Sequence, residues 1–221
     1  MNIKIEDKIT GGRQYRNIDI TEFERRSAGD TERVVSGYAS TFNQPYELYS
    51  MSFDGRKYII REQVDPHAFD NTDMSDVIMQ YDHEGRVFAR ISNGTLEVNV
   101  DSHGLYLTAH LGGTEIGRQL FEEIKGGYTT KMSFGFTVAS DRREETREKN
   151  NDTGMETVNI LRTITGISKL YDVSAVSLPA NDATSISARS WAAGVVDELQ
   201  EEFQRRETQR KRIRIKAMIG E

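Results

Sequence analysis

Ser133 lies in Lys131-Met132-Ser133-Phe134-Gly135-Phe136. Strand alternation there puts Met132, Phe134, Phe136 and Val138 on one face and Lys131, Ser133, Gly135 and Thr137 on the other. A nucleophilic serine needs an open approach, a neighbouring base and backbone N–H groups aimed at the developing oxyanion. Glycine beside the hydroxyl could supply the first and third, although a purely structural strand serine shows the same local pattern. His83 follows the apolar run Val77-Ile78-Met79-Gln80-Tyr81 and stands between Asp82 and Glu84. Its imidazole suits a general base near neutral pH, and equally an exposed loop histidine. Asp172, within Lys169-Leu170-Tyr171-Asp172-Val173-Ser174-Ala175-Val176, is an acidic residue in a largely apolar strand. A buried carboxylate needs a partner: a histidine N–H would give a catalytic array, and Arg162 or Arg118 a plain ion pair. Lys131, two positions from Ser133 on the same face, is the rival base, for which its pKa would have to fall strongly.

Other reactive groupings are weaker. Asp82, His83 and Glu84 make a poor metal site, because neighbours in an extended segment point in alternating directions. His67 and His103 fall in turns, and His110 on the wetter face of a strand. The chain has no cysteine, which excludes disulfides, a thiolate nucleophile and sulfur-ligated metals. No cofactor or metal is expected. No apolar run approaches the ~18 residues of a membrane span, and the N-terminus lacks a signal-peptide core, so a cytosolic protein is expected.

The elements that must position these groups are mostly strands. Val34 to Phe42 is rich in β-branched and aromatic residues and ends at the turn Asn43-Gln44-Pro45; Lys57 to Glu62 follows the turn Asp54-Gly55. Asp65-Pro66-His67-Ala68-Phe69 reads as a short helical turn. Val87 to Ile91, Thr95 to Val100 and Leu105 to Leu111 read as an antiparallel meander. Thr114 to Lys125 is the clearest helix, with Thr114 as cap, the stripe Ile116, Leu120 and Ile124, and a stop at Gly126-Gly127. Residues 140–154 carry charge at nine of fifteen positions and no large apolar side chain, which predicts a mobile loop. Thr157 to Ile164 and Gly166 to Leu178 read as two closing strands before the turn Pro179-Ala180-Asn181-Asp182. Roughly eight strands and one firm helix predict a β-rich α+β fold, a mostly antiparallel closed barrel or sandwich with a few peripheral helices.

Charge divides the 221 residues unevenly. Arg205 to Lys216 holds seven basic residues and one acidic, leaving 22 basic and 34 acidic elsewhere. The overall charge of −6 argues against a general nucleic-acid coat protein. From Trp191 the composition turns helical, with Val195, Val196, Leu199 and Phe203 on one face. Residues 1–190 are therefore read as the domain and 191–221 as a charged helical C-terminal arm.

In their order along residues 33–188, these segments resemble the prohead (capsid maturation) proteases of tailed bacteriophages, relatives of the herpesvirus assembly proteases. The resemblance is carried by Ser36-Gly37-Tyr38-Ala39, Asp65-Pro66-His67-Ala68-Phe69, Tyr81-Asp82-His83-Glu84 and Gly104-Leu105. It continues through Ile116-Gly117 to Gly126-Gly127, Met132-Ser133-Phe134-Gly135-Phe136, and Leu170 to Asn181. It implies a herpesvirus-protease-like fold, Ser133 as nucleophile, His83 as general base and Asp172, where the family usually has Glu, as third member. The implied activity is a serine endopeptidase that cuts scaffolding protein, or a scaffold-like segment of the major capsid protein, and then itself. Those proteins are the implied partners, with a homodimer as a further option and no membrane, inside the prohead in the host cytoplasm. The alternative is a non-catalytic assembly or scaffolding module working through 191–221.

Overall fold

The computed structural model describes residues 12–19, 24–28, 32–53, 55–150, 154–176, 194–201, 204–205 and 208–213. Its spine is one long antiparallel ladder between β10 (Lys131–Lys149) and β11 (Glu156–Val176). On its far side β11 runs parallel to β5 (Arg56–Val64) and then to β6 (Ile78–Tyr81). β4 (Tyr46–Phe53) closes a hairpin onto β5, and β7 (Glu84–Arg90) one onto β6. The other edge is β1 (Gln14–Asp19), antiparallel to β10. A second, four-stranded sheet is antiparallel throughout, in the order β2 (Glu24–Ala28), β3 (Glu32–Thr41), β9 (Gly104–His110) and β8 (Leu96–Val100).

Alternation explains how the sheets meet. Met132, Phe134, Phe136 and Val138 from β10 pack with Leu105 and Leu107 from β9 in one buried cluster. Helix α1 (Glu115–Gly126) adds Leu120, Phe121 and Ile124 to it. The Thr114 hydroxyl accepts from the Gly117 amide at 3.0 Å, and Gly127 takes the left-handed conformation past the last turn. The predicted helix therefore forms from its own caps and stripe.

Four expectations need correction. The sheets do not close into a barrel, and β11 has two parallel neighbours, so the strand-rich α+β architecture is two sheets with one helix against their shared core. The three-strand meander reduces to β8–β9, because β7 pairs with β6 and a 3-10 turn at Ile91–Asn93 carries the chain to the second sheet. The two closing strands are a single strand, with Gly166 paired to Ser140 inside the ladder. Residues 140–149 are ladder as well, not a mobile loop. Every backbone carries a donor and an acceptor whatever its side chain, so a polar segment beside β11 can form strand. Its charges lie in solvent, where Arg147 pairs with Glu145 at 2.6 Å and guards an exposed edge.

The turn at 179–182 and the start of the arm lie outside the described residues. Residues 194–201 are helical, and Val195, Val196 and half-buried Leu199 pack on Tyr58, Ile60, Val158 and Ile160. Beyond them the described helical residues are exposed.

Candidate active site

His83 occupies the tip of the β6–β7 hairpin. Tyr81 and Glu84 face each other across it, and both intervening residues have positive φ, 49° at Asp82 and 62° at His83. Two left-handed residues in a two-residue loop mark a type I′ turn, usually filled by Asn or Gly. Holding histidine in that conformation sets its imidazole at a sheet end. Parallel pairing puts β6 beside the C-terminal part of β11, with Tyr81 opposite Ala175.

Ser133, Gly135, Asp172 and Ser174 share the face of the ladder opposite the large apolar row, with Ser133 across from Ser174 and Gly135 across from Asp172. Here His83 Nε2 lies 2.6 Å from Ser133 Oγ, and Nδ1 lies 2.9 Å from each Asp172 oxygen. A carboxylate only accepts, so Nδ1–H donates to it, which leaves the Nε2 lone pair to accept from the serine hydroxyl. The three groups thus stand in the order that proton transfer from a hydroxyl requires. Asp172, although a methylene shorter than glutamate, reaches the imidazole directly.

Sequence reasoning missed the next layer. Arg13 Nη2 donates to Asp172 Oδ2 at 2.6 Å, and Tyr15 packs on the His83 ring at a centroid distance of 4.1 Å. Both belong to an N-terminal stretch in which no pattern was read; the alternation of Tyr15 with Gln14 and Arg16 was the available signal. Asp172 therefore has both expected kinds of partner, a histidine and an arginine, but the arginine is neither Arg162 nor Arg118. Arg162 pairs with Glu62 and Asp141, and Arg118 donates to the Gly112 carbonyl.

Gly135 also does something other than expected. A Cβ on it would stand 2.5 Å from Asp172 Oδ1 and 3.0 Å from Arg13 Nε. The bare backbone makes room for the carboxylate rather than for substrate. Gly135→Ala should keep the fold but push Asp172 out of line, lowering the rate of cleavage about 100-fold, the scale of a 1 Å misplacement. Steady-state hydrolysis together with a melting curve would check this.

The remaining histidines stand apart from this cluster. His67 bonds Asp70 at 3.1 Å on an exposed turn, His103 packs against the Tyr38 ring, and His110 is exposed at the end of β9. Among the described residues no three metal-capable side chains converge. No described helix is long and apolar enough to cross a membrane. An open groove runs beside the His83 turn between the β6–β7 hairpin and α1, with Tyr81, Phe88, Ile116 and Leu120 in its lining and Asp82, Glu84, Arg86 and Glu123 as its charges.

Behind the site β1 is anchored by a buried charge network. Arg16 donates from Nε and Nη2 to the two oxygens of Glu62, which also accepts from Arg162 Nη1 at 2.8 Å and from the Tyr46 hydroxyl at 2.5 Å. Burial works to raise the Glu62 carboxyl, but the charge and hydrogen bonds of Arg16, with Arg162 and Tyr46, outweigh it and hold its pKa below the usual carboxylate range.

The profile of the caudovirus prohead serine proteases matches residues 21–197 of this chain. No curated protein matches the sequence. Among solved structures, the capsid assembly protease of bacteriophage T4 is similar at 10% identity, over 74% of this chain and 96% of that one, with a TM-score of 0.38.

Proposed function

This chain belongs to the caudovirus prohead serine proteases, and on that premise we propose that Ser133 is its nucleophile, His83 its general base and Asp172 its third catalytic member. The observation that carries this reading is the continuous contact from Ser133 Oγ to His83 Nε2 and from Nδ1 to Asp172. In the forward step Oγ attacks the scissile carbonyl carbon while Nε2 takes the hydroxyl proton. The tetrahedral intermediate collapses, the C–N bond breaks and the imidazolium passes its proton to the leaving amine. Water then repeats the sequence on the acyl-serine and releases the new carboxyl end. Asp172, facing Nδ1–H, favours the charged imidazolium that forms in both halves.

The substrates that suit such an enzyme are the scaffolding protein, or a scaffold-like segment of the major capsid protein, followed by the protease itself. Ser133 has no exposed surface, so a polypeptide reaches it only after neighbouring groups give way. The groove beside the His83 turn, lined by both apolar and charged side chains, suits an extended chain approaching the site. Residues 1–190 form the protease domain. Residues 191–221 serve as a recruitment and self-cleaved arm, docked through Val195, Val196 and Leu199 and exposed in its described residues beyond Gln200.

A serine-directed fluorophosphonate tests the reading. Mass spectrometry of the labelled native protein should place one adduct on Ser133, and Ser133→Ala should take up none while melting as the native protein does. An adduct elsewhere, or equal labelling of the variant, would remove Ser133 from the mechanism. Deleting 191–221 should abolish packaging into the shell without lowering the labelling rate. Packaging at normal copy number would dismiss the arm's role.

A further inference from the structure

We infer that Arg13 is a positioning residue for the triad, fixing the Asp172 carboxylate against His83 and balancing its charge in a buried place. The inference rests on the proposed roles of His83, Ser133 and Asp172. It adds a residue that lies outside the family-matched segment, which begins at residue 21.

Four observations lead to it. Asp172 is fully buried, and Arg13 reaches it from a position one-third exposed, with Nη2 at 2.6 Å from Oδ2. The guanidinium lies over the Tyr171 ring, 4.7 Å from its centroid, and 5.3 Å from that of Tyr15. Aromatic faces steady a planar cation without offering a carboxylate that would compete for it. The missing side chain at Gly135 leaves space that Asp172 and Arg13 both approach. Finally, Tyr15, two residues further on and inside β1, packs on the imidazole that Asp172 must orient.

A buried carboxylate whose single partner is an imidazole has a charged partner only during part of the catalytic cycle. Arg13 supplies one throughout. It also occupies one carboxylate oxygen and so restrains rotation of the group, leaving it aligned with Nδ1.

β1, with Arg13 just before it, could instead be a cover that lifts away to admit substrate. Its anchoring argues otherwise. Arg16 is buried and joined to buried Glu62 through two hydrogen bonds, and it also bonds Gln14, itself buried. β1 is in register with the nucleophile strand, with Asn17 opposite Ser133. Lifting β1 would expose Glu62 and strip it of a cation, a costly way to open a site.

The test compares native protein, Arg13→Ala and Arg13→Lys by the second-order rate of fluorophosphonate addition to Ser133, with melting temperatures alongside. Arg13→Ala should react about 10- to 100-fold more slowly, the range expected when a reacting group loses its alignment. Arg13→Lys should recover part of that loss. Millimolar methylguanidinium should accelerate Arg13→Ala and leave the native protein unchanged, an effect that a merely structural arginine would not show. Labelling of Arg13→Ala at the native rate would overturn the inference, and faster labelling would do so in favour of a removable cover. Slow labelling that neither lysine nor methylguanidinium restores would also overturn it, assigning Arg13 to folding alone. Native protein that takes no label at Ser133 would remove the catalytic reading beneath the inference, a result separable from the others.

Discussion

Asp172→Asn is expected to slow peptide-bond cleavage about 10,000-fold in a protein that still folds. The exchange keeps the shape of the side chain and reverses the polarity of one contact. In the native site both carboxylate oxygens lie 2.9 Å from His83 Nδ1, so that nitrogen carries the proton and Nε2 is free to receive one from Ser133. A carboxamide can turn its NH₂ toward the ring, which favours a lone pair on Nδ1 and a proton on Nε2. The imidazole would then donate to Ser133 Oγ instead of accepting from it, and the base would be lost with every atom nearly in place. Arg13 would lose its counter-charge at the same time. The check is a single-turnover cleavage rate beside a denaturation curve. A variant within tenfold of the native rate would strike Asp172 from the catalytic groups. Asp172→Glu is not a mild substitute here, because the space above Gly135 is already filled by the aspartate oxygens and Arg13.

The second large effect is on stability. Glu62→Gln should cost about 3–5 kcal/mol, the scale of removing one charge from a buried ion pair. Glu62 is fully buried between Arg16 and Arg162, each about 1% exposed, and also accepts from Tyr46. Both arginines would lose a buried carboxylate partner, and Arg162 retains Asp141. The loss is large against the 5–15 kcal/mol that typically separates a folded domain from its unfolded chain. Its pH dependence follows from the sign of the shift. Because the carboxyl is held below its ordinary range in the folded state, its contribution is fully present above the unfolded value of about 4.3 and fades as pH falls through the lower folded value. Native protein and Glu62→Gln should therefore differ most at neutral pH and converge in acid. Urea melts at several pH values would show this, and a constant gap would refute the charge argument. Because Arg16 anchors the strand that delivers Arg13, the variant should lose activity even where it remains folded.

How much of this was legible in the sequence depended on range. Alternation from Lys131 to Val138 already assigned Ser133 and Gly135 to the face opposite Met132, Phe134 and Phe136. Thr114, the Ile116–Leu120–Ile124 stripe and Gly127 specified α1 with its caps, and Val195, Val196 and Leu199 specified the face on which the arm docks. These are local signals, repeated every two residues or every three to four, and the side chains themselves encode them. The order of motifs along the chain further identified the family, and with it the histidine and serine to bring together.

Partnership across the fold was not encoded that way. The charged run of β10 looked like loop because side-chain patterning is silent about backbone hydrogen bonds, which any residue supplies once a neighbouring strand presents its edge. Gly135 read as an opening for substrate and proved to be the seat of a carboxylate. Arg13 carried no local mark at all, and its value arises only where β1, β10 and β11 lie side by side. By itself the sequence determined which faces are apolar, where α1 starts and stops, and which hydroxyl and imidazole were worth pairing. Tertiary structure alone decided that a type I′ turn aims His83 at Ser133 and that Asp172 is shared between imidazole and guanidinium. The physical reason is that side-chain period is a property of a few consecutive residues. A distance of 2.6 Å between atoms fifty positions apart is instead set by strand pairing and packing throughout the sheet.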